Sequence, residues 1–385
     1  MKIAVTFGTR PEAIKLAPVI RELRKSAEWT TEVVLTAQHR ALLDQVLEVF
    51  AISADCDLDV MQPRQTLPEL SSRVLVSLDR WLTASRPDLL IVQGDTTSAF
   101  IAALAAFYRG VPVAHVEAGL RTPSGLNPFP EEMNRRLVSR LAMLHFAPTA
   151  AAQSALIAEG VPPETIHVTG NTVVDALQTI LASPAYARAS LPIEVGPGDR
   201  VVLVTMHRRE SWERIEGVCA AIAEVARARP DVRVVFPVHP NPAVREPVYR
   251  WLGSVPHVSL VDPLDYLAFV KMMAASHVIL TDSGGVQEEA PVLARPLLVL
   301  RDTTERGESI DAGVARLVGT TPSEIVKELS TLLDDHAAWG RMSRAVSPFG
   351  DGRAAQRIVT IIEEQRSVIC SYGRRDGNPR QREAS

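Results

Sequence analysis

The stretch DLLIVQGDTTS (88–98) decides the fold. Leu89 to Val92 are consecutive apolar residues without polar alternation, so a strand here is buried on both faces. Gly94 and the Asp-Thr-Thr after it break the strand and offer helix caps. Residues 96–109 then run at helical period. A doubly covered strand that hands over to a helix is the repeating unit of a parallel sheet. Outward from this stretch the unit recurs: IAVTF (3–7), EVVLT (32–36) and VPVAHV (111–116) are short β-rich runs, with helix-period segments at 11–25, 39–50 and 66–85. The pattern holds to about residue 180.

Residues 184–200 contain Pro, Gly and Ser with little periodicity and read as an interdomain linker. The alternation restarts with VVLVT (201–205), VRVVFPV (232–238), HVSLV (257–261), HVILT (277–281) and PLLVL (296–300). The expected fold class is therefore α/β, with two doubly wound parallel-sheet domains in tandem, residues 1–185 and 200–345. Ligand is expected at the carboxyl ends of the strands, in a cleft between the two. A long helical pattern over about 322–365 is broken at Pro348-Phe349-Gly350, and its last part, 346–366, is expected to cross back to the first domain. The polar end, 367–385, reads as a disordered tail.

Composition excludes several classes. Hydrophobic residues make up 46% of the 385 and charged ones 22%, enough for two cores. With net charge −4 and a pI of about 6.2, no basic face for nucleic acid is expected. No apolar run approaches the roughly 20 residues of a membrane helix. The first apolar run is too short for a signal-peptide core. Cys56, Cys219 and Cys370 are far apart and form no CxxC pair, so neither a disulfide framework nor a zinc site is expected, and a cytoplasmic location is.

The unusual polar residues follow the strands. Gly8-Thr9-Arg10-Pro11-Glu12 follows the first, where Pro11 suits a first helical turn and Arg10 and Lys15 flank a helix start suited to phosphate. In Gly94-Asp95-Thr96, Asp95 or Thr96 reads most simply as a helix cap. Strand alternation puts His115 and Glu117 on one side, and a carboxylate buried there needs a partner or a function. His-x-Glu without Pro-Cys-x-x-Cys gives no zinc deaminase site. Glu131 and Glu132 enter a helix, where the dipole favours acids. His207 with Arg208 and Arg209 forms an anion site at a strand end. Ser283-Gly284-Gly285 allows close backbone approach and offers N–H donors to a diphosphate, with a carboxylate one turn on for ribose. Arg301 and Arg306 in RDTTER are two more candidate anion ligands.

Taken in order, GTRPEAIKLAPV (8–19), QHRALLDQV (38–46), QGDTTS (93–98), HVEAGLRT (115–122), NPFPEEMNR (127–135), MHRRE (206–210), VHPNP (238–242), LTDSGGVQEEAP (280–291) and RDTTER (301–306) resemble the non-hydrolysing UDP-N-acetylglucosamine 2-epimerases. The resemblance covers the chain except its tail and implies the GT-B fold. It implies that Asp95, Glu117 and Glu131 are acid/base carboxylates around the sugar, and that His207 helps UDP leave. Arg10 and Lys15 resemble phosphate ligands, Ser283, Gly284 and Gly285 the phosphate cradle, and Glu289 the ribose carboxylate. Phe269 and Arg306 resemble further nucleotide ligands, near the uracil in the case of Phe269. Gln38, His39, Gln45, Arg64 and Gln65 resemble a regulatory set that binds a second UDP-N-acetylglucosamine as activator.

The implied reaction needs neither a metal nor a redox cofactor, and the implied assembly is a homodimer. Two departures from the pattern stand out: Ser211 after MHRRE, expected to alter a loop beside His207, and Gly307-Glu308-Ser309 after RDTTER, expected to loosen the loop next to the nucleotide. A hydrolysing epimerase, a GT-B glycosyltransferase and a silent UDP-sugar sensor are the alternative readings.

Overall fold

The computed structural model describes residues 1–36, 40–62, 65–344 and 347–372, without the side chains of 40–42 and 209–210. Seven strands make the first sheet: β1 (Lys2–Phe7), β2 (Thr30–Leu35), β3 (Cys56–Asp57), β4 (Leu89–Gln93), β5 (Val113–Val116), β6 (Leu144–Ala147) and β7 (Ile166–Val168). Their order is β3-β2-β1-β4-β5-β6-β7, with every pairing parallel. The second sheet holds β8 (Arg200–Thr205), β9 (Val232–Pro237), β10 (Val258–Val261), β11 (Val278–Thr281), β12 (Leu297–Val299) and β13 (Ala315–Leu317), ordered β10-β9-β8-β11-β12-β13 and again parallel. In both, the strand order reverses beside the first strand of the sheet, the switch point where doubly wound sheets open a crevice.

Helix packing in the first unit follows from side-chain size. Helix Leu67–Ser85 buries Leu70, Val74, Leu78 and Leu82, one per turn along a single stripe. Helix Thr97–Tyr108 meets it with Ala99, Ala102, Ala103 and Ala106, which allow close approach. Each of the larger buried aliphatic side chains contributes about 1.5–3 kcal/mol against exposure. The second unit has its own core around Val202, Val204, Phe236, Leu280 and Leu298.

The chain divides into Met1–Ala176 together with the part from Phe349 onward, and Leu177–Pro348. The change of unit thus falls inside helix Thr172–Leu181, not in 184–200. That expected linker instead begins with helix Pro184–Arg188, capped by Ser183 Oγ at 3.1 Å from Tyr186 N. Lys271 Nζ donates to the carbonyls of Tyr186 at 3.4 Å and Ala187 at 3.3 Å, so this turn is held by the second unit.

The long pattern over 322–365 is several helices: Pro322–Asp334, His336–Met342 and Ala354–Glu364, with Arg366–Ser371 beyond. Helix Ala354–Glu364 lies against helix Arg10–Leu23, burying Ile358 and Ile362. Residues 367–371, expected in a disordered tail, are helical because Ile369 is buried and Arg366 pairs with Glu28 at 2.6 Å. No helix among the described residues is long and apolar enough to cross a membrane.

Candidate active site

In the first unit, polar side chains gather at the carboxyl ends of β1, β4 and β5, which are neighbours in the sheet. Gly8 and Thr9 lead into helix Arg10–Leu23, with Pro11 in its first turn. The buried Glu12 folds back over that turn: Oε2 accepts from Gly8 N at 3.0 Å and Thr9 N at 2.8 Å, and Oε1 accepts from Thr96 Oγ1 at 2.7 Å. Burial pushes the Glu12 carboxyl above its ordinary value, against these hydrogen bonds, which pull it down. Thr96 also caps helix Thr97–Tyr108 through Ala99 N at 3.0 Å. Glu12 therefore ties the turn after β1 to the turn after β4.

Thr96 being the cap, Asp95 has other work. Its Oδ2 accepts from Arg135 Nε at 3.0 Å and from Arg135 Nη2, while Asn134 Nδ2 donates to its carbonyl at 3.0 Å. Both partners come from helix Glu131–Leu141. In that helix's first turn the fully buried Glu132 accepts from Thr122 N at 3.1 Å, Arg135 Nη1 at 3.1 Å and Arg136 Nε at 2.8 Å. Glu132 thus takes the structural role, and Glu131 stands half-buried at the helix start.

The alternation expected through His115 and Glu117 stops short. β5 ends at Val116, and Glu117 takes φ +64°, a left-handed conformation that a non-glycine residue adopts at a cost of about 1–3 kcal/mol. Its Oε2 accepts from Lys15 Nζ and, at 2.9 Å, from Asn171 Nδ2, with all three residues buried. Lys15, which resembles a phosphate ligand, here neutralises a carboxylate. Arg10 sits half-buried at the start of the same helix. His115 is wholly buried with Nε2 donating to Gly94 O at 2.8 Å, and burial lowers its pKa to about 3, so it is a neutral structural imidazole.

In the second unit, β8 and β11 are neighbours in register, Thr205 opposite Thr281. The residues just beyond their ends therefore meet. His207 Nδ1 lies 3.0 Å from Asp282 Oδ1. His207 N donates to Asp282 Oδ1 at 3.2 Å and Oδ2 at 3.1 Å, and Arg208 N to Oδ2 at 3.0 Å. Burial alone would raise the Asp282 carboxyl, but these hydrogen bonds and the nearby imidazole hold it below its ordinary value.

Ser283 precedes helix Gly284–Val292. A Cβ on Gly284 would lie 2.6 Å from Arg306 Nη1, so only glycine lets this helix start sit on the guanidinium, whereas a Cβ on Gly285 would meet nothing within 4 Å. Arg306 is buried, donating to Glu288 Oε1 at 2.8 Å and to Glu305. Glu305 also takes Arg301 Nη1 at 2.9 Å and Arg208 Nη2 at 3.3 Å. Glu289 Oε1 accepts from Tyr266 OH at 2.7 Å, and Phe269 is half-buried on the same helix as Tyr266, Tyr266–Ala275.

The loop expected to loosen at Gly307-Glu308-Ser309 is instead the short helix Gly307–Asp311, with the buried Ser309 Oγ donating to Arg306 O at 2.8 Å. Ser211, also buried, sits in the helical turn Arg209–Arg214, its N donating to Arg208 O at 3.0 Å.

Of the residues resembling a regulatory set, Gln38, His39 and Arg64 lie outside the described residues. Gln45 is exposed on helix Arg40–Val49, and Gln65 Oε1 accepts from Arg73 Nη1 at 2.8 Å. Among the described residues no group of three His, Cys, Asp or Glu could hold a metal ion. Sequence reasoning missed Asp282, Asn171, Arg135, Glu12 and Tyr266 as partners of the site. Two left a signal: Asp282, one residue past a strand that a doubly wound order sets beside β8, and Glu12, third after Thr9 in a capping-box pattern.

A family profile described as UDP-N-acetylglucosamine 2-epimerase matches residues 21–363. A probable UDP-N-acetylglucosamine 2-epimerase from Ralstonia nicotianae is 50% identical over 370 residues, 94% of this chain and 98% of that one. The UDP-N-acetylglucosamine 2-epimerase of Escherichia coli is 48% identical over 373 residues, 95% and 99% of the two chains. Among solved structures, the Neisseria meningitidis UDP-GlcNAc 2-epimerase bound to UDP-GlcNAc is similar with a TM-score of 0.91 and 45% identity, covering 94% of this chain and all of that one. The fold class is accordingly α/β of the GT-B type. With likeness of sequence and backbone running almost end to end, the chain belongs to the UDP-N-acetylglucosamine 2-epimerase family.

Proposed function

We propose that the chain interconverts UDP-N-acetylglucosamine and UDP-N-acetylmannosamine without hydrolysis. The observation that carries this reading is the pairing of Glu117 with Lys15 and of Asp95 with Arg135, at the ends of adjacent strands. Each carboxylate is held ready by a fixed cation, and such a pair can take and return protons. The N. meningitidis relative bound to UDP-GlcNAc supports the choice of substrate.

C2 of the sugar holds its hydrogen tightly, so the reaction runs by elimination. A carboxylate takes H2 as a proton, the C–H electron pair becomes the C1=C2 double bond, and the C1–O pair leaves with UDP. The intermediate is 2-acetamidoglucal. UDP adds back to C1 as a proton reaches the opposite face of C2. Asp95, Glu117 and Glu131 act as the acid/base set. His207 and the Ser283–Gly285 helix start stabilise the departing diphosphate, Glu289 takes the ribose, and Arg10, Phe269 and Arg306 add nucleotide contacts.

No net oxidation occurs, so no redox cofactor enters. The three free cysteines suit a reducing cytoplasm. A homodimer, activation by a second UDP-N-acetylglucosamine at the set Gln38, His39, Gln45, Arg64 and Gln65, and use of the product in surface polysaccharide complete the proposal.

The test is incubation with UDP-N-acetylglucosamine in D₂O followed by NMR. The expected product is UDP-N-acetylmannosamine deuterated at C2. Accumulating free N-acetylmannosamine would mean a hydrolysing enzyme, and no exchange at all would point to a transferase or a sensor.

A further inference from the structure

We propose that Asp282 is the positioning residue of His207, holding the proton on Nδ1 so that Nε2 is the nitrogen that gives and takes a proton at the leaving diphosphate. The inference rests on the role proposed above for His207 at that diphosphate, but its geometry stands apart from it.

Asp282 is fully buried and accepts from two backbone amides besides the imidazole. A carboxylate held below its ordinary pKa is ionised near neutrality and can only accept. The nitrogen 3.0 Å away, His207 Nδ1, must then be the donor. Neutral His207 is therefore the Nδ1–H tautomer with a bare Nε2. The same ring is half exposed, in contrast to its partner, so the far nitrogen remains reachable. As the C1–O bond breaks, the electron pair goes to the diphosphate oxygen and the Nε2 proton of the imidazolium follows it. What remains is the neutral Nδ1–H imidazole on Asp282. Re-addition runs the same transfer backwards.

The contact pattern makes the substitution Asp282→Asn a sharp test. Oδ2 faces the amides of His207 and Arg208, at 3.1 and 3.0 Å, whereas Oδ1 faces the ring nitrogen at 3.0 Å and shares only the His207 amide, at 3.2 Å. An asparagine oxygen must take the place of Oδ2 to satisfy the two N–H donors. Its NH₂ then points at Nδ1, which can accept only when unprotonated, and the proton is driven to Nε2. A neutral Nε2–H imidazole is far too weak an acid to hand its proton over.

Two measurements decide the matter. Nitrogen-15 NMR of the histidine rings in the wild-type protein, with His207→Asn to assign the signal, should report Nδ1–H for neutral His207, and Asp282→Asn should invert it. Kinetics of Asp282→Asn should show kcat lowered roughly 10²–10⁴-fold, KM within about threefold, and little further loss when His207→Asn is added. A wild-type ring found as Nε2–H would overturn the proposal without any variant having to fold. An Asp282→Asn enzyme within about threefold of wild-type kcat would overturn it too. If the wild-type protein shows no epimerisation while the tautomer is Nδ1–H, it is the function above that fails and not this pairing.

Discussion

Asn171 Nδ2 donates to Glu117 Oε2 at 2.9 Å across 54 residues of sequence, and Lys15 Nζ reaches the same oxygen. Asn171 is itself fixed, its Oδ1 accepting from Val173 N at 3.0 Å and its N donating to Phe349 O at 2.7 Å. Glu117 is thus gripped from two sides while its backbone sits at φ +64°. The strain is of the kind that surrounding structure must over-determine to survive.

Removing either grip should therefore separate chemistry from nucleotide binding. Asn171→Ala is expected to lower the C2 exchange rate at least about tenfold while UDP affinity changes by less than about threefold. Lys15→Met should cost more, because breaking a buried ion pair leaves an uncompensated charge worth about 3–5 kcal/mol of stability. Exchange in D₂O, UDP titration calorimetry and chemical denaturation read the three quantities. Equal loss of exchange and UDP affinity in Asn171→Ala would show that the residue supports the fold and not the carboxylate.

Gly284 is a second sensitive point. Its missing side chain is what lets the helix start rest on Arg306, and a methyl group would stand 2.6 Å from that guanidinium. Gly284→Ala should push Arg306 off Glu288 and Glu305, destabilising the protein by about 1–3 kcal/mol and weakening UDP binding by roughly tenfold or more. Gly285→Ala, with nothing within 4 Å of the added atom, should leave stability nearly unchanged. A thermal melt showing the two variants alike would contradict the packing described.

Buried titratable groups set opposing pH dependences. His115 takes a proton only at about pH 3 in the fold but at its ordinary 6.5 when unfolded, so the unfolded chain binds more protons between these values. The stability it contributes is complete above about pH 6.5 and is lost as pH falls toward 3. Glu12 works the other way: its pKa is raised above the ordinary 4.5, so the stability from its proton is present below 4.5 and lost as pH rises through the folded value. Glu12→Gln should flatten the stability curve on its alkaline side above pH 4.5, and His115→Gln should flatten the acid limb below 6.5. Denaturation midpoints against pH for both variants check the signs, and curves parallel to wild type would refute them.

Strands such as Leu89–Gln93 and Arg200–Thr205 were legible because an unbroken apolar run is the direct signature of burial on both faces. Their neighbours Leu144–Ala147, Ile166–Val168 and Ala315–Leu317 were not. Each has only three or four residues, and each contains a histidine or an arginine. The motif residues were visible as polar clusters at strand ends. What holds them was not, because Asn171 meets Glu117, and Asp282 meets His207, through strand order rather than through spacing. The left-handed turn at Glu117 was hidden as well, since nothing in the residue type announces it. The start of the second unit was misread for a related reason: residues 184–200 are rich in turn formers, yet Ser183 and Lys271 organise their first part.

The clasp between Asn171 and Phe349 has a consequence for biosynthesis. Helix Ala354–Glu364 is anchored by Asp175, which accepts from Ala354 N at 3.2 Å and Ala355 N at 2.9 Å, and it covers helix Arg10–Leu23. The unit that holds Asn171 therefore begins before the stretch Leu177–Pro348 and is closed only after it. The inserted stretch Leu177–Pro348 can fold while helix Arg10–Leu23 still lacks the cover that helix Ala354–Glu364 brings.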